Sequence, residues 1–339
     1  ILILLLSALM LGTMITLNSN HWLLAWAGLE INMLAIVPLI SMTHHPRATE
    51  ATIKYFLAQT GASMLMLFSS TLNAWHSGTW DITQLTQPQA CLILTVALCM
   101  KIGLSPMHLW LPDVMQGTTL KLGLIISTWQ KLAPIGLLII TANAHSKLLI
   151  LLLATLSIVI GGWGGLNQTQ TRKILAYSSI SNTGWMMIIL FHSTKLSALT
   201  LTIYIIMVTT LFIMLMMQNT KTIKNINTTW TLSPTLTTTM MLTLISMGGL
   251  PPLTGFMPKW LILEELMTNG LITLATTSAL ATLLSLFFYM RLFYSSTMTL
   301  PPNTSTSEQK WRQNPNFTWT MSTLLPPTLM LIPTMYTIL

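Results

Sequence analysis

Five ionisable side chains stand inside long apolar runs of this sequence: Glu30, Lys54, Lys101, Lys131 and Lys259. Carboxylates and amines exchange protons reversibly and need no cofactor to do so. A free lysine titrates at about 10.4, and removal from water disfavours its charged form strongly enough to bring exchange towards neutrality. A nearby carboxylate opposes that effect, so a motion that makes or breaks an amine–carboxylate pair captures or releases a proton. One Lys or Asp at the centre of a bilayer costs roughly 2.5 to 3.5 kcal/mol on insertion scales, and such groups are kept mainly for function. The set points to a proton path.

The five positions differ in weight. Glu30 lies near the middle of the run from Trp22 to Pro38, and Lys131 is comparably central between Ile125 and Pro134, beyond the reach of either end. Lys101 opens a stretch with Gly103 and Pro106, and Lys259 follows a second stretch made of Gly248, Gly249, Pro251 and Pro252. Lys54 sits four residues after Glu50. That spacing suits an ion pair within one helix as well as a relay. His108, just beyond the first Gly/Pro stretch with Asp113, is a relay candidate if that stretch is wet and an ordinary core histidine if it is not. Glu264 and Glu265 fall near the end of a run and are expected to be solvated. A static reading remains beside the functional one, in which the buried charges merely set helix packing.

The elements that must hold these groups follow from composition. Hydrophobic residues make up 52% of the 339 and charged residues 6%, against roughly a quarter charged in an ordinary soluble domain. Fifteen basic and seven acidic residues cannot cover a water-facing surface, so lipid must cover it. Spans need about 20 mainly apolar residues, and without strand-like alternation they must be helical. Eleven apolar stretches qualify, at about 1–18, 21–42, 51–72, 89–116, 120–141, 147–166, 173–192, 197–217, 236–267, 270–292 and 319–338. The fold class expected is an all-α polytopic transmembrane bundle.

The fourth and ninth stretches are overlong and carry the Gly/Pro breakers, so each reads as two half-helices around an unwound joint. Broken spans five apart imply two five-helix repeats, inverted because five is odd, with one span left over. The division is 1–141 for the first repeat, 142–294 for the second, and 295–339 for a polar connector and terminal span. The basic residues test this layout. Arg47, Lys121, Arg172, Lys173, Lys221, Lys224, Arg291, Lys310 and Arg312 fall on the side of the N-terminus, and only Lys147 and Lys195 on the other. By the positive-inside rule the N-terminus is inside.

Other chemistries find no support. The formal charge of +8 is scattered rather than clustered, which argues for topology and against nucleic acid. Cys91 and Cys99, the only cysteines, share one apolar run and read as core residues. No CxxC, HExxH or phosphate-binding glycine loop occurs. Trp22, Trp75, Trp80, Trp230, Trp311 and Trp319 lie near span ends, where indoles anchor helices at the interface. The chain opens on Ile1 in an apolar run, read as a genuine span preceded by a few missing residues.

Six strings make the sequence familiar: His21–Trp26 with Glu30 and Asn32, His45–Glu50 with Lys54 and Tyr55, Lys101–Pro112, Thr128–Pro134, Gly161–Gln168 and Gly248–Trp260. Jointly they resemble the NADH-ubiquinone oxidoreductase chain 2 family, antiporter-like subunits of mitochondrial respiratory complex I. The resemblance covers residues 21 to about 294. It implies two inverted five-helix repeats plus a terminal helix, and an N-terminal region shorter than that of bacterial counterparts. Glu30 would be the membrane glutamate, Lys101 its partner, Lys131 the central proton carrier and Lys259 the outward-leading lysine. At Asn182 the family commonly has a histidine, and an amide cannot change charge.

What the resemblance implies is a subunit of an H+-translocating NADH:ubiquinone reductase with no redox site of its own. NADH, FMN, iron-sulfur clusters and ubiquinone would belong to the rest of the complex. Expected partners are neighbouring antiporter-like and small membrane-arm subunits and lipids, with no nucleic acid. The expected location is the mitochondrial inner membrane, N-terminus in the matrix and C-terminus in the intermembrane space. A stand-alone cation/proton antiporter and a passive membrane spacer are the alternatives.

Overall fold

Helix starts and stops in this chain are written in its capping residues. A computed structural model describes residues 2–218, 220–297 and 318–331. Among these residues the regular structure is helical, with two isolated backbone bridges. The order is α1 (Leu2–Asn18), α2 (Trp22–Ser41), α3 (Pro46–Ser77), α4 (Pro88–Ile102), α5 (Trp110–Gly117), α6 (Leu120–Ser127), α7 (Trp129–Ile140) and α8 (Lys147–Gly165). It continues with α9 (Thr171–Ile189), α10 (Thr194–Met217), α11 (Ile223–Asn227), α12 (Thr229–Leu232), α13 (Pro234–Gly248), α14 (Phe256–Thr268), α15 (Ile272–Ser296) and α16 (Thr318–Leu329). The chain divides into two compact units, Ile1–Ser157 and Ile158–Leu339.

In unit 1, His21 and His45 cap α2 and α3, each Nδ1 accepting the backbone N–H two residues on at 3.2 Å. These bonds satisfy donors that a helix start leaves open. Proline opens α3 and α4, where its missing N–H costs nothing. The α2 entry is tied to the segment after α3 by Trp22 N–H donating to Trp80 O at 3.1 Å and by stacked His21 and Trp80 rings 5.6 Å apart. That strap explains a departure from expectation. Trp22 is 1% exposed and packed inside the unit rather than anchored at an interface, whereas Trp75 is 88% exposed.

α4 ends on Gly103, whose φ of +84° lies in the left-handed region. Six further residues of irregular chain lead to α5, with Cys99 O accepting from both Gly103 N and Leu104 N. A second interruption was not expected. The stretch 120–141, read from sequence as one helix, breaks at Thr128 (φ −113°, ψ −67°) between α6 and α7. At the break Leu124 O accepts from Thr128 N–H, Thr128 Oγ1 and Ser127 Oγ together. Hydroxyl back-bonding of this kind competes with the helix ladder, and Pro134 withdraws a further donor six residues on.

In unit 2 a bridge between Gln170 and Thr222 ties the entry of α9 to the segment after α10. α13 ends on Gly249 (φ +80°), and α14 resumes at Phe256. α15 packs on α13 and α14, and α9, α13 and α14 surround α10. Arg291 of α15 donates to the carbonyls of Leu166 and Gln168 after α8, closing that end of the unit.

Among the described residues, five segments are long and apolar enough to cross a membrane: Trp22–Ser41, Leu120–Ile140, Lys147–Gly165, Thr194–Met217 and Ile272–Ser296. Leu2–Asn18 and Pro88–Ile102 are shorter apolar helices. Large apolar side chains face outward from them, including Ile3, Leu4, Leu148 and Trp163 at 70% exposure or more. A surface of that kind belongs in lipid. Lys310, Arg312, Trp311 and the connector around Pro301–Lys310 lie outside the described residues, as does the side chain of Trp319.

Candidate functional site

Unit 1 gathers its polar groups on the inner faces of α2, α3, α4 and α7. Lys101 is the penultimate residue of α4 and is 6% exposed. A helix C-terminus presents unpaired carbonyls and the negative end of its dipole, which suits an ammonium. Lys131 lies in the first turn of α7, 4% exposed, directly after the Thr128 break. Glu30 is half-buried on α2, and its charge is felt both at Lys101 and at the Tyr55 phenol. It acts on Lys101 through space: the ion pairs within 4 Å among the described residues are those of Lys54.

Three neutral residues that sequence reasoning passed over join these charges. Tyr55 is 1% exposed, and its Oη donates to Gln130 Oε1 at 3.4 Å, next to Lys131. Gln59, one turn further along α3, donates Nε2–H to Lys101 O at 3.3 Å. Gln130 Nε2 is buried and makes no hydrogen bond among the described residues. The signal was present in the i, i+4 spacing of Tyr55 and Gln59 on the buried stripe that includes Ala51, Ala62 and Met66. A run of neutral polar groups between Glu30 and Lys131 can support a hydrogen-bonded path.

Lys54 stands apart on the outer side of α3, its ammonium 2.6 Å from Glu50 and 2.7 Å from Asp113 of α5. Arg47, Gln116 and Gly117 complete a small polar pocket there. His108 is 7% exposed in the joint after α4 and is hydrogen-bonded to the Pro106 backbone. The joint places Pro106 at the surface.

Unit 2 has a different arrangement at the corresponding joint. Lys259 lies in the first turn of α14, yet its Nζ reaches back to donate to Gly248 O at 2.8 Å, the C-terminal carbonyl of α13. Gly249 suits this position twice over: its φ is left-handed, and a Cβ on it would lie 2.7 Å from Lys259 Nζ. Pro251 and Pro252 are exposed in the joint. Lys259 borders a cavity of about 40 Å³ shared with Asn182, Thr200 and Tyr204. Such a volume accommodates water at about 10–15 Å³ per molecule.

The fold that holds these buried amines has counterparts among known proteins. The profile of the transmembrane family NADH:quinone oxidoreductase/Mrp antiporter matches residues 19–285. The chain belongs to that family. Residues 286–339 match the NADH dehydrogenase subunit 2 C-terminus. The NADH-ubiquinone oxidoreductase chain 2 of Carassius auratus is 56% identical over 312 residues, 92% of this chain and 90% of the relative. That of Gallus gallus is 55% identical over 307 residues, 91% and 89%. Among solved structures, a chain of respiratory complex I from Thermus thermophilus superposes with a TM-score of 0.87 at 25% identity, over 98% of this chain and 77% of its own. A chain of the Mrp complex from Dietzia sp. shares the fold, with a TM-score of 0.77 at 17% identity over 87% and 60%. An antiporter-like helical membrane fold is thus common to the family, and Glu30, Lys101, Lys131 and Lys259 all lie inside the matched region.

Proposed function

We propose that this chain is a core membrane subunit of respiratory complex I that conducts protons across the mitochondrial inner membrane, while NADH oxidation and ubiquinone reduction take place in other subunits. The relatives named NADH-ubiquinone oxidoreductase chain 2 support membership of that assembly. The observation that carries the proton reading is the burial of Lys101 and Lys131 within one unit, each beside a helix interruption and within a network that includes Glu30, Tyr55 and Gln130. Lipid alone gives two buried amines no reason to persist. Each charge moved costs about 2.3 kcal/mol per 100 mV, so the driving energy must arrive from the redox subunits.

In this reading Glu30, Lys101, Lys131 and Lys259 are the titrating groups, with His108 and Lys54 as possible relays. The chain crosses the membrane eleven times if α4/α5, α6/α7 and α13/α14 each count as one crossing and α16 is the last. Two repeats are supported by a recurring order: a first helix, a bridged entry to the second, a long third, a fourth broken at a left-handed glycine, and a fifth. The bias of Lys and Arg supports an N-terminus in the matrix and a C-terminus in the intermembrane space. Flavin, iron-sulfur clusters and quinone sites are assigned to the partner subunits, and the outward apolar faces to lipid and membrane-arm neighbours.

The deciding experiment replaces Lys131 by Met in the assembled complex and compares assembly, NADH:ubiquinone turnover and proton uptake in sealed vesicles. Normal assembly with impaired pumping is expected. Pumping at the wild-type rate would leave only a scaffold role and would overturn the proposal.

A further inference from the structure

The cavity beside Lys259 contains a second group able to exchange a proton, and nothing above employs it. Its polar walls come from three helices of unit 2 that pack on one another, α9, α10 and α14. They contribute Asn182, then Thr200 and Tyr204, and then Lys259. Asn182 is an amide and cannot change charge. The Thr200 hydroxyl is turned onto its own helix, donating to Ser197 O at 2.8 Å. Lys259 Nζ is held at Gly248 O. Tyr204, 5% exposed and one turn beyond Thr200, brings a phenol, which donates and accepts at once. Its hydroxyl meets that of Ser179 on α9, one turn before Asn182, so its reactive end lies at the α9 wall of the cavity.

Chemistry singles out the phenol. In water a phenol titrates at about 10 and a lysine amine at about 10.4, so a proton passed between the two is strongly favoured on neither. An amide and an aliphatic hydroxyl offer no such match. Unit 1 repeats the pairing: Tyr55 and Tyr204 each lie roughly three turns into a long helix, α3 or α10, and Tyr55 is bonded to Gln130, the neighbour of Lys131. We propose that Tyr204 is the proton-transfer group that serves Lys259 across this cavity. The inference rests on the proton-conducting reading above. The step balances without redox chemistry. The Tyr204 O–H bond breaks as its proton passes to water in the cavity, and that water gives a proton to the neutral Lys259 amine, which gains an N–H. A proton handed on by the Ser179 hydroxyl re-forms the O–H on the same oxygen, and the next proton conducted restores the serine.

Tyr204→Phe isolates the claim, because it keeps the ring and removes only the hydroxyl. The complex is expected to assemble while NADH-driven proton uptake in sealed vesicles falls about tenfold, a modest value for a missing proton-transfer group. Tyr289 of α15 is the control, a phenol 2% exposed in the same unit that does not line the cavity. Tyr289→Phe is expected to leave uptake at the wild-type level. An equal fall in both variants would trace the loss to disturbed packing of unit 2 and overturn the proposal. Lys259→Met separates this inference from the reading beneath it. If Lys259→Met abolishes uptake while Tyr204→Phe leaves it at the wild-type level, the inference fails alone; if neither variant affects uptake, the proton-conducting reading of unit 2 fails with it. Should Tyr204→Phe not assemble, Tyr204→Met removes the same hydroxyl with a side chain that repacks readily, and wild-type uptake in that variant would refute the inference.

Discussion

The Lys54 ammonium lies 2.7 Å from the Asp113 carboxylate and so joins α3 to α5, the second half of the broken helix in unit 1. The same ammonium is 2.6 Å from Glu50, one turn back on its own helix. The two carboxylate side chains are 62% and 43% exposed, which leaves the pairs open to screening by salt. Their value is in holding α5, not in stability. Asp113→Asn is expected to leave assembly unchanged and to raise amide hydrogen exchange across Trp110–Gly117 at low salt. At high salt the wild-type complex should approach the variant. Identical exchange in the two at low ionic strength would count against the clamp.

The two left-handed glycines predict unequal consequences from equal strain. Gly103→Ala and Gly249→Ala each force an L-residue into the left-handed region, at roughly 1 to 2 kcal/mol. At Gly103 the new methyl meets Leu111 Cδ1 at 3.1 Å and Trp110 at 3.4 Å. At Gly249 it meets Lys259 Nζ at 2.7 Å and Cδ at 2.9 Å, which pushes the ammonium off Gly248 O. Thermal stability of the two variant complexes should fall similarly, and proton uptake should fall further in Gly249→Ala. Equal uptake would mean that the Lys259–Gly248 contact has no part in transport.

Why these features differ in how readable they are follows from what each depends on. Glu30, Lys101 and Lys131 stand out in sequence because a charge in an apolar run is anomalous whatever its partners. The interruptions after Ile102 and Gly248 stand out because Gly and Pro change the backbone itself. The break at Thr128 is silent, since the Ser127 and Thr128 hydroxyls turn onto Leu124 O just as hydroxyls do in the unbroken α9, and the residue types alone do not mark it. Tyr55, Gln59 and Gln130 are neutral, and their importance appears only when α3 is laid against α4 and α7. Trp22 misled for a similar reason: its burial depends on Trp80, almost sixty residues away.

His145, in the connection between α7 and α8, gives a pH dependence. It is 5% exposed, with Nε2 2.7 Å from Thr141 Oγ1, and burial pushes its pKa down to about 4 from the ordinary 6.5. A depressed histidine is neutral in the fold and gains its proton more easily when unfolded. Its contribution is therefore present above about 6.5 and is lost as pH falls towards 4. Amide exchange across residues 141–146, corrected for intrinsic rates, should rise as the complex is acidified through that window. His145→Gln cannot titrate and should flatten the response. A persisting rise in that variant would place the responsible group elsewhere.

Close backbone approach between α1 and α2 sets a limit on side-chain size at Gly12 and Gly28. A Cβ on Gly28 would lie 2.6 Å from Thr16 Cγ2 and 2.8 Å from Gly12 O, and one on Gly12 would lie 2.4 Å from Asn32 Oδ1. Membrane helices associate through packing of this kind, with no hydrophobic drive to compensate for a gap. Gly28→Ala should therefore part α1 from α2 at a cost of about 1 to 3 kcal/mol and lower the amount of subunit recovered in intact complex on native gels. Gly61→Ala is the control, since its methyl would meet nothing nearer than Met100 Cε at 3.7 Å, and replacing a mid-helix glycine by alanine gains roughly 0.5 to 1 kcal/mol. Recovery should thus be undiminished in Gly61→Ala and reduced in Gly28→Ala. If both variants assemble equally well, the contact between the two glycine backbones is not what holds α1 in place.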